Sequence, residues 1–165
     1  MANENREETL KKLNELVKDI NFAMLTTAES DGTLRSRPMA TQKAEFDGDL
    51  YFFTNEKSPK VDEIEKEHQV NVSYSKPEKQ TYISMSGAAQ IIRDRAKIEE
   101  LWTPDLKAWF PKGLEDPNIA LLKINVSQAE YWDNPNSTVV YLIGMAKAIA
   151  TGETYKPGEN EKINL

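Results

Sequence analysis

The chain has 165 residues, 39 % of them apolar, and its 27 acidic and 21 basic residues give a net charge of −6. This length fits one domain with a real core, and the acidic balance argues against nucleic acid as a partner. No stretch of about eighteen apolar residues is present, and the N-terminus lacks an apolar signal region. We therefore expect a cytoplasmic protein without a membrane span.

The residue types narrow the chemistry further. Cysteine is absent and His68 is the single histidine, so the chain offers no thiolate ligand and no cysteine nucleophile. A structural zinc site usually needs several His or Cys ligands, and no metal is expected. A Ser-His-Asp triad would have to use His68, which is better explained as the end of a helix. The GxGxxG, Walker A, GxSxG and HExxH motifs are missing.

In chain order, the hydrophobic pattern predicts an amphipathic helix and then strands separated by short turns. The predicted strands cover residues 22–28, 33–46, 50–54, 69–75, 80–93 and 119–133. The predicted helices cover residues 6–20, 59–67 and 95–102, and residues 138–150 form either a last strand or a helix.

Within these strands, Pro38 marks an edge or a bulge, and Gly87 indicates a bend or a close backbone approach. Short strands with few helices predict a mainly β domain of the α+β class, a small antiparallel barrel with peripheral helices over residues 1–150. Residues 151–165 form a polar, turn-rich tail of the kind that usually frays.

The segment "EKSPK" raises the first functional question. Ser58 is a good helix N-cap and Pro59 suits the first helical position, so capping alone explains this pair. Lys60 does not fit that account, because a cation in the first turn faces the positive end of the helix dipole. A bound anion would make the position of Lys60 favourable. The Ser58 hydroxyl, the Lys60 ammonium and the helix N-terminus would bind it together, and Thr54 could add a hydroxyl.

Two arginines form a second candidate group. Arg35 and Arg37 are two residues apart on a predicted strand and therefore share one face. If they point inward they need an anionic partner, and the arginine fork suits a phosphate or the edge of a conjugated ring. The alternative is that both point to solvent.

Aromatic side chains form a third group. Trp102, Trp109 and Phe110 lie in or beside the loop after the fifth strand, and Trp132 ends the sixth. Core packing accounts for each of them, but Trp109 lies among prolines in "KAWFPKG", where a contact with a flat ring is the competing interpretation.

Several segments together resemble the pyridoxamine 5′-phosphate oxidase-like family. They are "RPMATQ", "LYFFTNEKSPKVDEIEKEHQVNVSY" and "YISMSGAAQI". The later "WFP" and "DPNIALLKINVSQAEYWD" resemble the bacterial general stress protein branch of that family. The resemblance covers roughly residues 10–135. It implies a split antiparallel β-barrel with peripheral helices, a homodimer, and FMN bound between the subunits.

The resemblance also implies roles for individual residues. The segment from Arg37 to Gln42 matches the strand that contacts the flavin ring and phosphate, Phe53 and Thr54 match a cofactor-touching pair, and Ser58 and Lys60 match the phosphate ligands. Together with the residue-based candidates, the expected cofactor-binding set is Arg35, Arg37, Pro38, Met39, Ala40, Gln42, Phe53, Thr54, Ser58, Lys60, Tyr82 and Trp109.

The chain departs from the oxidase pattern at three places. Pro59 stands where the oxidase has an arginine, Gln42 stands where it has a lysine, and Tyr82 falls near the position of a glutamine. The arginine-histidine substrate motif at the oxidase C-terminus has no counterpart. The general flavin site is therefore expected to survive, and the site for the vitamin substrate is not.

The resulting expectation is a stress-related flavoprotein that binds FMN, with FAD as the second choice, and is an oxidoreductase of unnamed substrate. Two alternatives stay open. The chain is either a non-catalytic module that binds or buffers flavin, or a split barrel that binds haem or F420, with His68 as the only available haem ligand.

Overall fold

The computed structural model describes residues 2–42, 44–134, 138–156 and 158–165. Within them, seven strands form one antiparallel sheet. The strands are β1 Phe22–Ala28, β2 Leu34–Ala40, β3 Asp49–Asn55, β4 Gln69–Lys76, β5 Thr81–Ile92, β6 Ile119–Asp133 and β7 Glu159–Asn164. The helices are α1 Ala2–Val17, α2 Pro59–Lys66, α3 Arg95–Leu101 and α4 Thr138–Thr151, and short 3₁₀ turns cover Pro77–Lys79, Pro104–Ala108 and Gly113–Glu115.

The sheet curls into a split barrel, which confirms the predicted fold class. The strand order is β2-β1-β4-β5-β6-β3, and β7 also pairs with β6. The long β6 therefore has three partners: β5 pairs along one edge, and on the other edge the first half pairs with β3 and the second half with β7. The α2 helix crosses between β3 and β4 and buries Val61 and Ile64.

The alternation of buried and exposed residues along the strands places the core inside the curl. Ala23 and Leu25 of β1 and Ile83 and Met85 of β5 point inward and are almost fully buried. The α1 helix adds Leu13 to the same cluster. A second cluster lies beside β3, where Phe53 packs with Phe110 and Ile98 of the following helix and loop.

The predicted close approach at Gly87 is confirmed. The register of β5 against β6 shifts between Ser86 and Gly87. A Cβ atom at Gly87 would collide with the backbone carbonyl oxygen of Asn125 on β6. A side chain at this position would therefore force the two strands apart.

Two element ends differ clearly from the sequence prediction. The second strand was expected to run to residue 46, but β2 ends at Ala40. After it, the Asn14 side chain of α1 binds the backbone of Phe46 in both directions, at 2.8 Å and 2.7 Å, and holds this segment against the helix instead of the sheet. The α1 helix ends at Val17 and not at residue 20.

The C-terminal part resolves one alternative and adds a strand. Residues 138–150 lie in a helix, α4. The polar tail contains β7, in which Ile163 pairs opposite Ala129 of β6 and packs against the core. Within the described residues, no helix is long and apolar enough to cross a bilayer.

Candidate functional site

The turn between β3 and α2 fixes the start of the helix. The Asn55 side-chain oxygen accepts a hydrogen bond of 2.9 Å from the Lys57 amide, and the Asn55 carbonyl accepts one of 2.9 Å from the Ser58 amide. Ser58 adopts the extended conformation of an N-cap, with φ −71° and ψ 140°, and Pro59 occupies the first turn. The backbone at this boundary therefore has the conformation of an ordinary helix start.

The Ser58 side chain does not cap the helix. Its hydroxyl makes no capping hydrogen bond, and instead its Oγ accepts a hydrogen bond of 2.8 Å from Lys60 Nζ. Burial, and after it the positive charge of Arg37, lower the pKa of Lys60 below its usual value, against the opposing effect of Glu63. A half-buried ammonium group thus lies at the positive end of a helix dipole.

The two arginines differ in environment. The Arg37 side chain is only 17 % exposed: it donates hydrogen bonds of 2.6 Å to Thr27 Oγ1 and 2.7 Å to Glu63 Oε2. Arg35 is 61 % exposed and forms a 3.5 Å ion pair with Glu29. Arg37 therefore points inward and has the anionic partner that this position requires, whereas Arg35 points to solvent.

Glu63 is the anionic partner of Arg37. Thr27 Oγ1 also donates a hydrogen bond of 2.6 Å to Glu63 Oε2. Burial alone would raise the pKa of Glu63, but the Thr27 hydrogen bond and the Arg37 guanidinium outweigh burial and lower it. Sequence analysis missed this residue, although its spacing of three from Lys60 places both on neighbouring positions of the α2 surface.

A cavity of about 290 Å³ opens beside the N-terminus of α2, and we call it the α2 cavity. Most of the predicted cofactor-binding residues line it, and three further residues join them. The predicted residues are Pro38, Met39, Ala40, Gln42, Phe53, Thr54, Ser58, Lys60 and Trp109, and the others are Asn55, Leu106 and Phe110.

Three predicted residues do not line this cavity: Arg35, Arg37 and Tyr82. Arg37 influences it through the charge felt by Lys60. Tyr82 lies on the outer face of the sheet opposite Trp132. The sequence did not single out two of the lining residues, Asn55 and Leu106. Asn55 directly follows Thr54, and Leu106 lies three residues before Trp109.

The aromatic residues of the loop have two roles. Trp102 makes an edge contact of 5.9 Å between ring centroids with Phe53, and Phe110 completes that cluster. This cluster is core packing. Trp109 lines the α2 cavity and is 59 % exposed, so its ring is available to a bound molecule.

The lining of the α2 cavity suits a particular class of ligand. A half-buried ammonium and hydroxyl groups lie at one end, which favours an anionic group such as a phosphate. Apolar and aromatic side chains form most of the rest of the wall, together with the polar Gln42 and Asn55, and such a wall favours a flat ring with polar atoms at its edge. The described residues contain no group of three or more His, Asp or Glu side chains arranged to hold a metal ion.

Comparison with known proteins places the chain in a family. Residues 8–156 match the family model described as pyridoxamine 5′-phosphate oxidase like. The chain is also 30 % identical to protein bli-3 of Neurospora crassa, over 95 % of this chain and 78 % of bli-3.

Solved structures share the fold. A Clostridium acetobutylicum protein related to general stress protein 26 superposes with a TM-score of 0.72 at 20 % identity, over 96 % of each chain. The general stress FMN/FAD binding protein of Xanthomonas citri gives a TM-score of 0.69 at 28 % identity, over 79 % of this chain and 92 % of that protein. Because the family model matches most of the chain, the chain belongs to the pyridoxamine 5′-phosphate oxidase-like family.

Proposed function

We propose that this protein is an FMN-binding, stress-related flavoprotein whose cofactor phosphate binds at the N-terminus of α2. The observation that carries the proposal is the pair of Lys60 and Ser58. Among the described residues, Lys60 Nζ forms no ion pair and donates its one hydrogen bond to a neutral hydroxyl. The nearby Glu63 carboxylate is bound by Arg37 instead, so a phosphate would give this half-buried cation an ion-pair partner of its own.

The remaining lining residues fit the rest of a flavin. Apolar contacts for the isoalloxazine ring come from Met39, Ala40 and the exposed ring of Trp109. Polar contacts at the edge of that ring come from Gln42 and Thr54. When bound, the flavin supplies electron or hydride transfer, and the chain supplies binding and electrostatics. The related protein of Xanthomonas citri is described as an FMN/FAD binding protein, which supports this assignment.

FMN is proposed over FAD because the α2 cavity has one cationic end. The Lys60 ammonium and the Ser58 hydroxyl are matched to a single terminal phosphate. A dinucleotide would place a second phosphate and an adenosine outside this lining. We also propose a homodimer, because the cavity is open and the family resemblance implies flavin between two subunits.

We propose flavin over haem because the one expected haem ligand, His68, does not belong to the α2 cavity. His68 is exposed, it does not line the α2 cavity, and only its backbone carbonyl takes part in a described hydrogen bond, from the Ala89 amide. Oxidoreductase activity of the bound flavin is our proposal, and a flavin-buffering protein without a substrate is the alternative. The cytoplasmic location stays a prediction.

The proposal is tested by titrating purified protein with FMN, FAD and riboflavin and following flavin fluorescence. FMN is expected to bind more tightly than riboflavin, which lacks the phosphate, by the same ten- to hundredfold that a charge-assisted contact supplies. Equal affinities for FMN and riboflavin would contradict the proposal that the α2 cavity binds the phosphate. No binding of any flavin would contradict the proposed function itself.

A further inference from the structure

A second cavity, of about 450 Å³, is lined by α1, by the segment after β2 and by strands β3 and β4, and we call it the α1 cavity. A volume of this size is typical of a small-molecule site. The α1 cavity shares only Gln42 with the α2 cavity. None of the other residues assigned to the flavin borders it, so the proposed function leaves the α1 cavity without a role.

Hydrogen bonds hold the walls of the α1 cavity in place. The Asn14 side chain of α1 binds the backbone of Phe46 in both directions. The Thr41 hydroxyl donates a hydrogen bond of 2.6 Å to the Ile20 carbonyl, and the Thr41 amide donates one of 3.0 Å to the Asn21 carbonyl. The segment after β2 is therefore held at both ends against α1 and the residues that follow it. Such a cavity is formed before a molecule enters.

The Tyr74 hydroxyl is the unusual group of this cavity. Tyr74 belongs to β4, borders the α1 cavity and is only 4 % exposed. Its hydroxyl makes no hydrogen bond with the described part of the chain, whereas every fully buried polar side-chain atom there has a partner. The hydroxyl therefore belongs to the small exposed part of the side chain, and that part faces the α1 cavity.

This hydroxyl is protonated and available to a bound molecule. Burial raises the pKa of Tyr74, and no hydrogen bond adds to the effect of burial. At neutral pH the group is a phenol that can donate one hydrogen bond and accept another. Because buried polar groups in proteins are almost always hydrogen-bonded, a free hydroxyl at the wall of a cavity is suited to a polar atom of a ligand.

The remaining interior of the α1 cavity is largely apolar and aromatic. The rings of Phe46, Tyr51 and Phe52 line it together with Leu50. Phe46, Leu50 and Phe52 belong to the core and are more than nine-tenths buried. Aromatic side chains pack well against another flat ring. The part of a ligand that suits this interior is therefore an aromatic ring.

The charged groups of the α1 cavity favour a cationic ligand over an anionic one. Among the described residues, four carboxylates and one ammonium line it. Glu45 forms no ion pair with the described part of the chain, and it is exposed, so it can meet an ammonium group without burial of its charge. The other three carboxylates pair with lysines: Glu15 with Lys18, Asp19 with Lys76 and Asp49 with Lys123.

We propose that the α1 cavity binds a small aromatic amine. The ring lies in the apolar interior, a polar atom of the ring forms a hydrogen bond with the Tyr74 hydroxyl, and the ammonium group pairs with Glu45. The α2 cavity has the opposite charge at its polar end, because Lys60 lies there. The two cavities therefore select different molecules, and this site goes beyond the flavin site and does not depend on it.

The first experiment titrates the flavin-free protein by calorimetry with three probes that share an indole ring. Tryptamine carries an ammonium group, tryptophol is neutral, and indole-3-acetate carries a carboxylate. The indole N–H can donate to the Tyr74 hydroxyl oxygen. Tryptamine should bind with a dissociation constant of about 1 mM or below, tryptophol more weakly and indole-3-acetate most weakly. Saturation with FMN should leave the tryptamine affinity unchanged.

The second experiment compares Tyr74→Phe with Tyr131→Phe, since each removes one hydroxyl from a buried tyrosine. Tyr74→Phe should weaken tryptamine binding about two- to tenfold. It should leave the urea midpoint of the empty protein unchanged, because the lost hydroxyl has no partner in the described chain. Tyr131→Phe should do the reverse: it loses a hydrogen bond of 3.0 Å to Glu161, so the midpoint falls and tryptamine affinity is retained.

A third variant tests the charge at the opening. Glu45→Gln should weaken tryptamine binding by up to about fivefold, the range of an exposed ion pair, and leave tryptophol binding unchanged. Glu78→Gln removes the same charge from an exposed position outside the α1 cavity. It should change neither affinity.

Three results would overturn the proposal. One is the absence of tryptamine binding, or binding that Tyr74→Phe leaves unchanged. Another is a urea midpoint that falls as far in Tyr74→Phe as in Tyr131→Phe, since the Tyr74 hydroxyl would then have its partner within the chain. The third is displacement of tryptamine by FMN, which would place the probe in the α2 cavity. The titrations and the unfolding measurements of wild type and variants contain no flavin, so a failure of flavin binding leaves their outcome unaffected.

Discussion

Lys60 Nζ donates a 2.8 Å hydrogen bond to Ser58 Oγ across the first turn of α2. Ser58 has the backbone conformation of an N-cap, yet its hydroxyl is turned to this lysine and not to the helix amides. The helix start thus gives up a side-chain cap, which is commonly worth about 1 kcal/mol. Both groups line the α2 cavity, so the arrangement presents an ammonium and a hydroxyl together to a bound anion.

The Lys60→Ala variant should bind FMN about ten- to a hundredfold more weakly, because it loses a charge-assisted contact of about 1.5–3 kcal/mol. Fluorescence titration measures the change. The matched control is Lys57→Ala, which removes the same charge from an exposed position in the same turn. Riboflavin affinity should be similar in all three proteins, and an unchanged FMN affinity in Lys60→Ala would leave Lys60 without a role in phosphate binding.

The Glu63→Gln variant should lower the free energy of unfolding by about 1–3 kcal/mol. The largely buried Arg37 guanidinium then loses its ion pair with Glu63 and lies beside a neutral amide. Urea denaturation measures the loss. Glu29→Gln is the matched control: it removes the same charge from the exposed Arg35 ion pair, which should contribute about 0–1 kcal/mol. Equal effects in the two variants would show that the burial of the Arg37 pair adds nothing.

Glu63 should also make stability depend on pH. Its pKa in the folded chain lies below the ordinary value of 4.5, so the unfolded chain binds the proton more readily. The stability it contributes is fully present above about 4.5 and is lost as the pH falls through the lower folded pKa. Urea denaturation of wild type and Glu63→Gln from pH 6 to pH 3 should therefore show curves that converge at low pH. A constant difference across this range would contradict the assignment.

The sequence allowed the strand pattern and the start of α2 to be predicted because both depend on local information. The period of two along β5, the Gly87 interruption and the Ser58-Pro59 helix start are visible in a few residues each. The Arg37 pair with Glu63 could not be predicted in the same way, because it joins residues from β2 and α2 that only the curl of the sheet brings together.

The C-terminal strand shows the limit of composition as a guide. The segment of β7, "ENEKIN", is polar enough to be typical of a frayed tail. Its order comes from backbone pairing with the second half of β6, which β3 leaves free. The residues of the tail alone therefore do not predict this strand pairing.

Pyridoxamine phosphate should not be oxidised at a useful rate, even by protein saturated with flavin. That reaction requires a second phosphate site that holds the amine carbon against the flavin ring, and positioning of this kind supplies several kcal/mol of barrier lowering, up to about 7–11 in favourable cases. Gln42 lines the α2 cavity at the position where the resemblance implies a lysine. The C-terminal residues that would offer an arginine and a histidine instead form β7, whose Lys162 pairs opposite Glu130 of β6.

An oxidase assay with pyridoxamine phosphate and dissolved oxygen measures this directly, with reduction by a nicotinamide donor as the control that the flavin is competent. Pyridoxal phosphate should stay at the level of free FMN, while the control reaction proceeds. If the product formed rapidly, a second phosphate would have to bind to cations outside β2 and the C-terminus. Lys107 and Lys112 flank Trp109 in the loop, and the double variant Lys107→Ala with Lys112→Ala would then abolish the activity while retaining bound FMN.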